Sequence, residues 1–123
     1  MTSIDPAFLR PNLIRNERNS TPRRDPLPRL LAQILWRCGE PATIVRATSR
    51  PWASALFQGQ RHEIMLHLGG TDPSERRIRF AAGLDEAEWA LDGHFVADIT
   101  LDEAGLDADG VWLDLSALTI EDW

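Results

Sequence analysis

RHEIMLHLGG, residues 61–70, holds His62, Glu63 and His67, and whether it is helix or strand decides how the chain is read. A zinc-protease helix needs its two histidines four apart, so that both imidazoles lie on one face. Here they are five apart. On a helix that spacing turns the rings about 140° from one another, at 3.6 residues per turn. On a strand an odd separation sends them to opposite faces of the sheet. Neither geometry gathers both onto one metal, and His94 and Cys38 lie too far along the chain to complete a ligand spacing. No metal and no cofactor is expected. Alternation settles the choice for a strand: His62, Ile64, Leu66 and Leu68 take one face, and Arg61, Glu63, Met65 and His67 the other.

Working upstream, WASALFQ reaches this strand through Gly59, so a Gln58-Gly59 or Gly59-Gln60 turn predicts a hairpin. That register sets Ala53, Ala55 and Phe57 beside His62, and Trp52, Ser54 and Leu56 beside Arg61 and Glu63. ATIVRAT before it is β-branched and alternating, a further strand. Ahead of the strands, RDPLPRLLAQILWRCGE has Asp25 for an N-cap, Pro26 for the first helical position and Gly39 for the stop. Leu27, Leu30, Leu31, Ile34 and Cys38 recur at helical spacing, which predicts an amphipathic helix with Cys38 in the core.

Downstream, Asp72, Pro73 and Glu75 form a capping signature and Gly83 a stop, predicting a helix over 73–82. The competing reading is a strand, from alternating Ile78 and Phe80. EWALDGHFVADITL places Asp92-Gly93 between two apolar runs, a hairpin signal, and DADG turns into the alternating VWLDLSALTI. Within FVADITL, alternation sets Asp98 on the face of His94 and Val96. The fold class expected is α+β: a mainly antiparallel sheet of about five or six strands with two amphipathic helices, in the order helix, three strands, helix, three strands.

The 123 residues fit one domain, residues 25–123, preceded by a flexible basic arm over 1–24 that is rich in proline and arginine. Charge is divided along the chain: residues 1–38 carry a net +4 and residues 39–123 a net −10, with no basic residue after Arg79. An acidic body repels phosphates, so neither nucleic acid nor membrane is an expected partner. All thirteen basic side chains are arginine, as in the chains of a GC-rich bacterial genome. One cysteine allows no internal disulfide, and with no apolar signal core or membrane-length run a cytoplasmic location is expected.

No phosphate-binding glycine loop, paired-cysteine site or nucleophile elbow is present, and no catalytic residue is assigned. The strongest polar grouping is the mixed strand face: Arg50 and Trp52, with Arg46 upstream, then Arg61, Glu63 and His67. Cross-strand charge pairing accounts for such a face without chemistry. The function expected is therefore a non-enzymatic protein-interaction module, with a protein partner or self-association through a sheet face or edge. The alternative is a small ligand-binding or acid/base enzyme domain using Arg61, Glu63 and His67, because a histidine beside a carboxylate titrates near neutrality. Among the five tryptophans, Trp52 and Trp123 are the ones expected to meet a partner.

Overall fold

The computed structural model describes residues 25–122; the arm expected over 1–24, and Trp123, lie outside the described residues. Helix α1 spans Leu27–Cys38, strand β1 Ala42–Ala53, β2 Gln58–Leu68, helix α2 Pro73–Ala81, β3 His94–Asp107 and β4 Gly110–Glu121, with a 3-10 turn at Leu84–Glu86. The strands form one antiparallel sheet in the order β1-β2-β4-β3. Leu30, Ile34 and Cys38 of α1, Phe80 of α2 and Leu84 pack on one face of it, against Ile64, Leu66, Leu68, Ile99, Val111, Leu113, Leu115 and Ala117. The class is α+β with two helices, as expected, but the sheet has four strands instead of five or six.

Two local effects remove the extra strands. ATIVRAT and the start of WASALFQ are one strand, because β1 runs on through Pro51. β1 is an edge strand with β2 as its neighbour in the sheet, and at outward-facing edge positions a missing N–H costs no ladder bond. The hairpin turn is Ser54–Phe57, closed by Ser54 N–H donating to Phe57 O at 2.8 Å and by Phe57 N–H donating to Ser54 Oγ at 3.2 Å. The turn expected at Gln58-Gly59 or Gly59-Gln60 is thus three or four residues too late, and Ala55 and Phe57 are turn residues with no place beside His62. The second casualty is EWAL. Asp92-Gly93 does form a turn, with Gly93 at φ 71°. However, Gln33 of α1 donates to Ala90 O at 2.8 Å and accepts from Ala90 N–H at 2.9 Å. Both backbone groups that a strand would offer at Ala90 are already committed to the helix.

Gly59, expected in a turn, lies inside β2 between Trp52 and Ile120. A Cβ there would sit 1.9 Å from the Thr119 carbonyl oxygen, so the glycine permits two backbones to meet. Gly59→Ala is expected to cost about 2–3 kcal/mol, the upper range for overpacking, read from urea denaturation. A loss under about 0.5 kcal/mol would show that β2 and β4 can part here without penalty.

The helix signals hold in part: the α1 N-cap is Pro26 in place of Asp25, and α2 ends at Ala81 with Ala82, ahead of Gly83, as its C-cap. Asp25 Oδ1 accepts the Leu27 N–H at 3.0 Å, and Gly39, at φ 78°, bonds back to Leu35 and Trp36 carbonyls. Asp72 stands at the α2 N-cap, but in the left-handed conformation (φ 53°) and without a side-chain cap bond. Bulges in β3 between Val96 and Asp98 and between Leu101 and Glu103 shift the alternation. The first moves Asp98 to the face opposite His94 and Val96, which overturns the pairing that unbroken alternation predicts. His94 is buried and its Nδ1 lies 3.0 Å from Asp92 O.

Candidate functional site

Register across the four strands gives the two faces of the sheet directly, because residues opposite one another share a face. The helix-covered face has rows such as Ile44–Leu66–Leu113–Ala104 and Ser49–His62–Ala117–Ile99. The other face reads, from one end, Thr43–His67–Trp112–Gly105, then Arg46–Met65–Asp114–Glu103, Thr48–Glu63–Ser116–Thr100, Arg50–Arg61–Leu118–Asp98 and Trp52–Gly59–Ile120–Phe95. His62 and His67 therefore lie on opposite faces, as the odd spacing requires.

Four of the five residues singled out in the sequence come together. Arg50, Arg61 and Glu63 line a shallow pocket of about 230 Å³ with Thr48 and Ser49. Arg50 and Trp52 also line a cavity of about 530 Å³ beside Asp25, Gln60 and Glu121. His67 is not with them. It lies four residues along β2 from Glu63, on the order of 13 Å at ~3.3 Å per residue, and donates Nε2–H to Asp107 Oδ1 at 3.2 Å. That bond, followed by the Asp109 and Gly110 backbone N–H groups, holds the Asp107 carboxyl below its usual range.

Among the described residues no helix covers this face, and apart from Glu63 on β2 its charge is divided by strand: Arg46, Arg50 and Arg61 lie on β1 and β2, and Asp98, Glu103 and Asp114 on β3 and β4. Between them run half-buried Met65 and Trp112. The Trp112 indole lies over Gly105, where a Cβ would meet the ring at 2.5 Å. At the far end of the face Leu118 and Ile120 are buried, in rows closed by Asp98 and by Trp52 and Phe95. Among the described residues the most exposed tryptophan is Trp36, 88% exposed on α1, while Trp52 is half-buried.

Sequence reasoning missed a polar chain under β1. The fully buried His62 has Ser49 Oγ at 2.6 Å from Nδ1 and Thr119 Oγ1 at 2.8 Å from Nε2. Thr119 Oγ1 is 3.5 Å from Gln60 O, an acceptor only, so its proton points there and its lone pair takes the His62 Nε2–H. Nδ1 is left to accept the Ser49 O–H. Burial lowers the His62 pKa and keeps the ring neutral. Among the described residues no carboxylate bonds to this imidazole, and its two nitrogens are both used by hydroxyls. The arrangement satisfies a core histidine and lacks the acid that orients a catalytic base. Cys38 is equally internal: burial pushes its thiol up to about 12, far from a reactive thiolate.

Comparison with protein-family models, with curated proteins and with solved structures finds no match. Among the described residues no helix is long and apolar enough to cross a membrane, and no group of His, Cys, Asp and Glu is placed to hold a metal ion.

Proposed function

We propose that the chain is a protein-interaction domain whose binding surface is the sheet face opposite the helices. One observation carries this reading: among the described residues both helices pack on a single face, leaving the other with Met65, Trp112, Leu118 and Ile120 on its central strands among charged and polar side chains, arginines to one side and acids mainly to the other. Half-buried apolar side chains with arginine beside them are what the centres of protein interfaces are made of. The polar grouping at Arg50, Trp52, Arg61 and Glu63 belongs to this surface as its basic corner. Glu63 and His67 being apart favours recognition over proton transfer.

Met65→Glu tests it, because Met65 is on the uncovered face and half-buried, so charge there disrupts a contact with little effect on the core. The expected result is an unchanged far-ultraviolet spectrum, with at least tenfold weaker retention of proteins captured from native lysate by the wild-type chain. Two control variants accompany it: Ile78→Glu on the exposed side of α2 and Trp36→Glu on α1. Capture that survives Met65→Glu and is lost with Trp36→Glu would move the binding surface to the helical side and overturn the proposal.

A further inference from the structure

Resting on that reading, we infer that the partner of the uncovered face is a second copy of this chain, packed face to face about a two-fold axis parallel to the strands. Sheet edges are where a β protein most readily self-associates. Both edges are blunted here. β1 has a bulge at Val45 and carries Pro51, and β3 has two bulges and the acids Asp98, Asp102, Glu103 and Asp107. Bulges, proline and charge are the devices that keep edges from pairing, so continuation of the sheet from copy to copy is disfavoured. The face carries charges of both signs, which can pair between copies instead of repelling them.

Its charges are arranged for one particular symmetry. A two-fold axis lying across the strands would set β1 over β1 and bring arginine onto arginine. An axis along the strands, passing between β2 and β4, exchanges the two sides. β1 of one copy then lies over β3 of the other, and each row meets its own reverse. Arg46 comes over Glu103 of the second copy, Arg50 over Asp98, Met65 over Asp114 and Trp52 over Phe95. Every pair occurs twice, as an isologous interface requires. Packed sheets sit about 30° from alignment, which loosens the pairing furthest from the axis and favours rows near the centre of the contact. The face is large enough. Four strands ~4.8 Å apart and about eleven residues at ~3.3 Å span on the order of 700 Å² per copy, close to the roughly 800 Å² per partner of a standard interface.

Sedimentation of the full chain tests the inference. The wild type should form a dimer at micromolar concentration, weakening as salt rises from about 0.05 to 0.5 M because the rim pairs are screened. Arg46→Glu alone and Glu103→Arg alone should each weaken it at least tenfold, by placing like charges opposite one another. Mixing the two single variants in equal amounts should make both pairs complementary, one native and one with its charges exchanged, giving a heterodimer tighter than either homodimer. Carrying both changes in one chain should restore both pairs. A chain that stays monomeric to about 1 mM overturns the inference, and so does a dimer indifferent to both reversals. If the chain is monomeric yet still captures other proteins through a Met65-dependent surface, the interaction reading stands and the second copy is excluded. Loss of both dimer and Met65-dependent capture sinks the two together.

Discussion

Replacing Arg76 by alanine is expected to remove about 3–5 kcal/mol of stability, the range for stripping one partner from a buried, hydrogen-bonded charge site. A domain of this size holds roughly 5–15 kcal/mol in total, so the variant should sit at the edge of unfolding at room temperature. The reason is the guanidinium's position. Arg76 is 7% exposed, and its nitrogens donate to the carbonyls of Gly39 and Pro41 at 2.8 Å, Cys38 at 3.3 Å, Thr71 at 3.4 Å, and Gly69. Cys38 is the last residue of α1, Gly39 and Pro41 lie between α1 and β1, and Gly69 and Thr71 lie between β2 and α2, so one side chain ties both loops together. Without it, inward-facing carbonyls lose their donors, and each unpaired buried group costs about 1–3 kcal/mol. Arg76→Lys should recover less than half of the loss, since one ammonium cannot span a fork of five acceptors. Arg79→Ala, at an exposed position of the same helix, should stay within ~0.5 kcal/mol. Urea denaturation of the three variants reads all of this; an Arg76→Ala loss below about 1 kcal/mol would mean that water replaces the guanidinium without penalty.

The second large effect belongs to His62. His62→Ala leaves a cavity at a fully buried position and takes away the group to which Thr119 and Ser49 are bonded. About 3 kcal/mol is expected, combining lost packing with a stranded hydroxyl. His62 also makes the wild type sensitive to acid. Its folded pKa is lowered, mainly by burial, while the unfolded histidine titrates near ~6.5. Below that value the unfolded chain binds a proton that the folded one refuses, so stability is full above it and falls as pH drops toward the folded pKa. The slope cannot exceed about 1.4 kcal/mol per pH unit for one proton. His62→Gln, which keeps hydrogen-bonding capacity and cannot titrate, should flatten the profile between pH 7 and 5. Asp107, whose pKa is lowered from 3.8, affects only more acid conditions. A profile equally steep in wild type and His62→Gln would place the titration elsewhere.

Patterns confined to one element were fully legible in the sequence. The α1 stripe of Leu30, Ile34 and Cys38, the alternation of β2 and β4, and the Asp107–Gly110 turn all follow from 3.6- and 2-residue periods and from local turn chemistry. The opposed histidines of RHEIMLHLGG follow in the same way: five residues on a strand put His62 in the core and His67 on the other face, whatever the strand pairs with. Only the tertiary structure decided what depends on a neighbour. Gly59 reads as a turn because glycine most often frees a backbone, whereas here it allows the approach of Thr119. Moving the turn to Ser54–Phe57 is what puts Ser49 opposite His62. SERRIRF offers Arg76, Arg77 and Arg79 alike, and nothing local marks Arg76 as the one whose reach matches carbonyls 35 to 38 residues away. The bulge between Val96 and Asp98 that carries Asp98 to the uncovered face arises from pairing β3 with β4. Period and propensity are properties of a segment, while register, close approach and the satisfaction of buried polar groups are properties of pairs of segments, and these pairings set the charge pattern of the uncovered face.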